Sequence, residues 1–520
     1  MAGFLSRERI VARPGFNRWL VPPAALAIHL CIGQAYAISV FNLPLSRAIG
    51  ITSPSPSDWK LTTLGWIYTL AIVFLGLSAA FAGTWLERAG PRRVGVVAAC
   101  CWGGGFLLAA LGVERHQIGL VYLGYGVIGG CGLGLGYVSP VSTLIKWFPD
   151  RRGMATGMAI MGFGGGALIA APLSDALMNR FASSTSVGVW QTFVVMGLVY
   201  FVAMLAGAFT FRVPPPGWTP SGRAPSGDQN ALVARGHVHV RTALRTPQFA
   251  LLWGVLCLNV TAGIGVLGQA SPMIQEIFKG AVSPSAAAGF VGLLSLFNIG
   301  GRIVWASLSD YLGRKRTYLI FFAFGAVLYA CVPSTGAAGS VPLFVACVAI
   351  ILTMYGGGFA TIPAYLADIF GTQFVGAIHG RLLTAWSVAG VLGPVLVNYI
   401  RQLQIDHGVP RADVYNLTMY VMSGVLVAGF LCNLAIRRVS EERYMTPSEL
   451  AAEQRLLRQA RPAGDVPAAP RVASSTPQSL PAPESSTVRW GAVVLAWMAV
   501  AGPLAWGIGS TLRKALLLFA

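Results

Sequence analysis

The chain runs to 520 residues, 55% of them hydrophobic and only 11% charged, with a mean hydropathy of +0.65. Soluble domains carry about 25% charged residues, so the composition excludes a water-soluble globular protein. The formal net charge of +19 would suit a nucleic-acid partner, but the basic residues collect in alternate loops between apolar blocks, which excludes that reading in favour of a membrane topology.

The apolar residues fall in blocks of about 20, long enough to cross a bilayer as helices, because backbone polar groups in hydrocarbon must be satisfied within their own segment. Arg7, Arg9, Arg13 and Arg18 precede the first block, near 19–43. Within it, Ala35-Tyr36-Ala37 resembles a signal-peptidase site, but His29 and Gln34 in the preceding stretch and the many later blocks argue against cleavage. Five more blocks lie near 63–84, 94–113, 118–146, 154–177 and 190–212. The segment 213–247 opens Pro214-Pro215-Pro216-Gly217-Trp218 and is otherwise polar, so it reads as a linker. Six further blocks lie near 248–275, 286–307, 317–334, 341–370, 380–402 and 415–436. The expected architecture is an all-α integral membrane protein. Its N-terminal six-helix half is 1–212, its linker 213–247 and its C-terminal six-helix half 248–440. The loops rich in Arg and Lys put the N-terminus, the linker and the segment after block twelve in the cytoplasm.

After the twelfth block the texture changes. Thr446-Pro447-Ser448-Glu449 is a capping box with Pro at the first helical position, predicting a short helix to about residue 461. Pro462 to Thr487 is rich in Pro, Ala and Ser and is expected to be disordered; together these form a cytoplasmic segment, 441–489. In the last segment, 490–520, Gly491 to Ile508 is apolar and Arg513-Lys514 follow, a candidate thirteenth span.

One loop signature occurs twice. Gly83-Thr84-Trp85-Leu86-Glu87-Arg88-Ala89-Gly90-Pro91-Arg92-Arg93 follows the second block, and Ala306-Ser307-Leu308-Ser309-Asp310-Tyr311-Leu312-Gly313-Arg314-Lys315-Arg316 follows the eighth. Glu87 corresponds to Asp310, Gly90 to Gly313 and Arg92-Arg93 to Lys315-Arg316, each 223 residues on (87 to 310). A duplicated membrane unit is the arrangement of a transporter whose site lies between its halves. Gly-rich runs such as Gly162-Phe163-Gly164-Gly165-Gly166 read as close helix packing, since no Walker lysine follows them. Pro172 in the fifth block, and Gly390, Gly393 and Pro394 in the eleventh, predict interrupted helices along a substrate pathway. The eight cysteines read as apolar packing residues, and no His or Cys spacing suggests a metal or cofactor. No nucleophile–base constellation is present, so no catalytic residue and no enzyme is expected.

The duplicated loop resembles that of the major facilitator superfamily, with Glu87 where Asp is commoner and Ala306 where Gly is commoner. Three further stretches narrow the resemblance. They are Gly134 to Pro140 running into Lys146-Trp147-Phe148-Pro149-Asp150-Arg151-Arg152-Gly153, Asn298-Ile299-Gly300-Gly301-Arg302, and Tyr355 to Phe359 with Leu383-Thr384-Ala385-Trp386. Together they look like the oxalate/formate antiporter family, related to the monocarboxylate porters, over roughly residues 20–440. The tail from Trp490 is similar to a small single-span protein that accompanies such transporters. The resemblance implies a twelve-helix major facilitator fold and an alternating-access carrier of small carboxylates.

The residues point the same way at one place. Arg302 is the one basic residue well inside an apolar block, and burying it costs about 2.5–3.5 kcal/mol even on lenient insertion scales. Its planar fork matches a carboxylate, and Asn298 lies one turn earlier on the same face. Pairing of Arg302 with Asp310 is the competing reading, made awkward by a separation of about 12 Å along the helix. Gln34, Tyr36, Tyr137, Tyr355 and Trp386 are the other candidate cavity residues. Glu87, Arg92, Arg93, Asp310, Arg314, Lys315 and Arg316 are candidate gate residues. The oxalate carriers would place a second cation where Ala385-Trp386 stands, and proton-coupled porters an acid where Asn298 stands. The sequence therefore favours a monocarboxylate over oxalate. The partners expected are a small carboxylate and the bilayer, without nucleic acid, and the chain is expected to act as a monomer. The predominance of Arg over Lys suggests a bacterial inner membrane. A drug exporter, a non-transporting sensor or scaffold and a membrane enzyme are the alternatives; the first lacks a convincing embedded acid in the first six blocks.

Overall fold

The computed structural model describes residues 7–13, 15–215, 218, 220, 232–234, 236–459 and 490–516. Among these, regular structure is helical and β pairing is confined to two isolated bridges. Among the described residues, thirteen helices are long and apolar enough to cross a membrane. The first half comprises α1 (Arg18–Leu45), α2 (Leu61–Ala89), α3 (Pro91–Glu114), α4 (Ile118–Trp147), α5 (Arg152–Phe181) and α6 (Val189–Thr210). The second comprises α7 (Pro247–Ile277), α8 (Pro284–Leu312), α9 (Arg314–Ala337), α10 (Val341–Phe370), α11 (Val375–Asp406) and α12 (Asn416–Ala435). The short α13 (Pro447–Gln459) and the apolar α14 (Trp490–Ala515) follow.

Local chemistry sets the boundaries. Thr246 caps α7, its hydroxyl accepting from Phe249 N at 3.2 Å with Pro247 at the first position, and Ser283 caps α8 in the same way. The two duplicated loops turn at Gly90 and Gly313, each with φ +84°, a conformation that L side chains disfavour. The charged loop residues are themselves helical, so α2 and α8 extend beyond their apolar blocks to Ala89 and Leu312. The capping box forms: Thr446 N donates to Glu449 Oε2 at 2.8 Å, and Glu449 N to Thr446 Oγ1 at 3.3 Å. The segment expected over Pro462–Thr487, and much of the linker before residue 232, lie outside the described residues.

The halves meet along two seams, α5 against α8 and α2 against α11. Small residues bring backbones together there, the usual device where lipid removes any hydrophobic drive between helices. A Cβ on Gly157 would stand 2.8 Å from the Arg302 carbonyl oxygen, and one on Gly380 2.1 Å from that of Ala79. The outer surface is apolar, with Phe81, Val202 and Val304 well exposed, as a lipid-facing surface requires.

The interruptions differ from those expected. α5 runs unbroken through Pro172, because the missing donor is tolerated where neighbouring groups serve the freed carbonyl. α11 is interrupted at Leu383, ahead of Gly390 and Pro394. Two departures are unanticipated: α4 widens to a π-helical stretch over Tyr122–Gly129, and α1 tightens to a 3-10 stretch over Gly33–Phe41. Gly33 lies so close to α5 that a Cβ would reach 2.3 Å from the Phe163 carbonyl oxygen. That stretch carries Gln34 and Tyr36.

Candidate functional site

Arg302 of α8 is fully buried midway between the halves. Its Nε donates to Asn298 Oδ1 at 3.1 Å, one turn back on the same helix, and its Nη1 donates to the Ile160 carbonyl of α5 at 2.9 Å. Both partners are neutral, and Nη2 has none. Asp310 is engaged elsewhere, so the competing pairing does not form. Among the described residues no carboxylate contacts this guanidinium.

The side chains around it form an aromatic box. Trp386 of α11 is fully buried, its ring centroid 4.6 Å from Phe359, 5.2 Å from Phe163, 5.4 Å from Tyr137 and 6.5 Å from Tyr36. The Arg302 guanidinium carbon lies 5.5 Å from the Phe359 centroid and 5.9 Å from that of Phe163, within cation–π range. Tyr355 stands edge-on to Phe359 at 5.3 Å. Gln34 accepts from Tyr125 at 2.9 Å through Oε1. Gln34 Nε2, Trp386 Nε1, the Tyr137 hydroxyl and Arg302 Nη2 are buried without a hydrogen-bond partner, and the buried hydroxyls of Tyr36 and Tyr355 face each other. All six can donate. An unsatisfied buried donor costs about 1–3 kcal/mol, so this concentration of donors beside an uncompensated cation suits an anion. His29 faces the carbonyls of Ala159 and Tyr137 with its two ring nitrogens and, as a neutral imidazole, donates to one of them, as a hydrogen-bonded helix residue. Arg381, five residues before Trp386, donates to the Ala377 carbonyl of its own helix at 2.9 Å and adds no second cation to the box.

Phe163 and Phe359 were not singled out by the sequence reasoning. The internal repeat held the signal for the first: the 223-residue offset of the loop signature also takes Phe163 to Trp386, and Tyr36 to Asn259.

At the end carrying the duplicated loops, Asp310 of α8 accepts from Gly153 N at 2.8 Å and Met154 N at 2.9 Å, capping the first turn of α5. A carboxylate there satisfies free N–H groups and meets the positive end of the helix dipole. Arg314 bridges Asp310 at 2.5 Å and Asp368 of α10 at 3.2 Å, and Arg152 of α5 reaches Asp368 at 2.9 Å. Glu87 repeats part of this in the first half. It pairs with Lys146 at 2.8 Å beside the first turn of α11, where a Cβ on Gly376 would lie 2.9 Å from Glu87 Oε1. The basic pairs are placed differently. Arg92 donates to the Phe211 carbonyl at 3.4 Å, and Lys315 to those of Leu434 and Ile436 at 2.8 and 2.7 Å. Both therefore tie the ends of α6 and α12 within their own halves. Arg93 and Arg316 are exposed. Sequence reasoning missed Arg152, Lys146 and Asp368, although Asp368 is the one charged residue in the thirty of α10.

Gly153 makes the gate contact possible, since a Cβ there would stand 2.0 Å from the Ala306 carbonyl oxygen. Gly153→Ala should therefore force α5 and α8 apart at this end. A thiol introduced at the buried Thr156 should then react with a maleimide about tenfold faster than in the Gly153 background; equal reactivity would remove the packing argument.

The profile of the major facilitator superfamily matches residues 24–394. The oxalate:formate antiporter of Oxalobacter formigenes is 28% identical over 385 residues, covering 72% of this chain and 83% of that one. Human monocarboxylate transporter 11 is 25% identical over 395 residues, 74% and 77% of the two chains. The Escherichia coli fucose transporter solved in its outward conformation superposes with a TM-score of 0.58 at 12% identity, covering 82% of this chain and all of that one. Fold, internal repeat and sequence profile agree: the chain belongs to the major facilitator superfamily and is a secondary transporter rather than an enzyme.

Proposed function

We propose that the protein exchanges small organic anions by alternating access, with a monocarboxylate preferred to oxalate. The observation that carries this is the fully buried guanidinium of Arg302, which lies between the halves, hydrogen-bonds only to neutral groups and is surrounded by side-chain donors. A carboxylate can take Nη2 and neighbouring hydroxyls, and charge-assisted bonds of this kind are roughly twice as strong as neutral ones. A second carboxylate would enter the box against Trp386, Phe163 and Phe359 without a cation, which is costly. The oxalate:formate antiporter and the monocarboxylate transporters among its relatives support a carboxylate substrate.

Exchange follows from the same charge. An empty carrier must move an uncompensated guanidinium through a dry, closed intermediate, whereas an anion-loaded one moves a neutral pair. Glu87, Asp310, Arg314 and the missed Arg152 and Asp368 act as the gate. Arg92, Arg93, Lys315 and Arg316 belong to the same loops, Arg92 and Lys315 steadying the helix ends that flank it. We place this end in the cytoplasm of a bacterial inner membrane, from the basic loops.

The test is uptake of labelled anion into proteoliposomes with and without internal counter-anion. Strong stimulation by internal anion is expected; equal uptake into empty vesicles would replace exchange with uniport. Trp386→Lys should move preference toward dicarboxylates, because it sets a second cation opposite Arg302. An unchanged oxalate-to-monocarboxylate rate ratio in that variant would show that position 386 does not face the second substrate group.

A further inference from the structure

α14 lies on the outside of the bundle, along the seam where α5 meets α8. Its inward stripe recurs every three or four residues: Val493 and Gly507 are buried, and Trp497, Val500, Leu504 and Thr511 half-buried. The opposite face, with Leu495 and Met498, is exposed. A periodic stripe of this kind is a helix-packing face.

The contacts fall on both halves of the transporter. On α5, Leu168 receives Gly507 so closely that a Cβ there would stand 2.7 Å from the Leu168 carbonyl oxygen. On α8, a Cβ added at Gly292 would lie 2.5 Å from Thr511 Cγ2. Between these, Leu504 enters the seam. A Cβ on Gly165 would meet Leu504 Cδ1 at 2.9 Å and Ile299 Cδ1 at 3.7 Å. Gly165 follows Gly164, where a Cβ would be 3.0 Å from Arg302 Nε, and Ile299 follows Asn298, which holds Arg302. Leu504 thus backs, from the outside, the two turns that carry the buried cation.

The position along the seam sets the consequence. α14 also packs against Arg18–Leu20, at the gate end, and because Leu504 sits at mid-seam and Thr511 beyond it, the start of the helix is the part directed there. Thr511 meets α8 at Gly292, in its first third and away from Asp310. When the gate end of the α5–α8 seam opens, a rocking pair of halves must close the opposite end, where Thr511 is seated one to two turns beyond the mid-seam Leu504. Those side chains can be kept only in the gate-closed arrangement. Without a hydrophobic drive in lipid, such close packing is what distinguishes the two states, and an element shifts an equilibrium by its differential contacts with them.

We infer that α14 is a seam-docked stabiliser of the gate-closed state, acting through Leu504, Gly507 and Thr511. The inference rests on the alternating-access reading above, and its test uses no anion, so the two can fail separately. Full-length protein in nanodiscs is compared by hydrogen–deuterium exchange with Leu504→Ala and Gly507→Leu. Peptides covering 148–158 and 306–316 report the gate. Gly507→Leu should raise their exchange rate about tenfold and Leu504→Ala by a smaller factor, with peptides at the far ends of α7 and α8 no faster than in the unmodified chain. A Gly292→Cys/Thr511→Cys pair should form a disulfide, identified as a linked peptide by mass spectrometry. Unchanged gate exchange in both variants would overturn the inference, as would equal acceleration at both ends or failure of the cysteine pair to link.

Discussion

Arg302→Lys should lose most carboxylate exchange, by about 10- to 150-fold, while the amount of protein in the membrane stays the same. Lysine keeps the charge but not the planar fork. In the native site the guanidinium is held by Asn298 Oδ1 and the Ile160 carbonyl, which leaves Nη2 for a ligand. An ammonium on a shorter chain cannot span Asn298, α5 and the substrate together. Losing one charged hydrogen bond costs about 1.5–3 kcal/mol, which is the fold-change given. Initial rates of exchange in proteoliposomes, normalised to protein, measure it. A rate within threefold of the unmodified protein, roughly 0.6 kcal/mol, would remove Arg302 from substrate contact.

Asp310→Asn should slow exchange more than tenfold, again with protein present in the membrane. An amide offers one acceptor where the carboxylate serves Gly153 N, Met154 N and Arg314 together. Its NH2 group must then face a donor. Breaking a buried ion pair costs about 3–5 kcal/mol when one charge is left uncompensated, and here Arg314 keeps Asp368. With the Asp310 side chain 12% exposed, the lower end applies. The part of the loss that comes from the two α5 contacts falls on the gate-closed state, since they exist only when the halves meet here, whereas the Arg314 pair lies within one half. The carrier then rests gate-open and rarely presents its site to the other side. Asp310→Glu, which restores charge with a longer reach, should recover part of the rate; wild-type turnover in Asp310→Asn would remove the gate role.

The twelve main spans were legible because bilayer thickness and backbone satisfaction leave one solution for apolar blocks of this length. Arg302 stood out for the same reason, as a charge where hydrocarbon penalises one. What the sequence hid were relations between helices. Phe163 looked like a packing residue inside a glycine run, and its place in the box depends on how α5 faces α11. Arg152 and Asp368 are ordinary end-of-helix charges until the two halves are brought together. The break in α1 was hidden because Gly33 is needed for its approach to Phe163, a contact between segments 130 residues apart. Pro172 misled in the other direction, since a proline inside a membrane helix is tolerated when neighbours compensate.

The most direct measurement of the central claim is an exchange panel on the unmodified protein: formate, lactate-like acids, oxalate and malonate, each offered outside proteoliposomes loaded with the same anion. One fixed cation, facing an aromatic wall at Trp386, predicts that monocarboxylates exchange at least tenfold faster than either dicarboxylate, about 1.4 kcal/mol of discrimination. Rapid oxalate exchange with no monocarboxylate movement would contradict it.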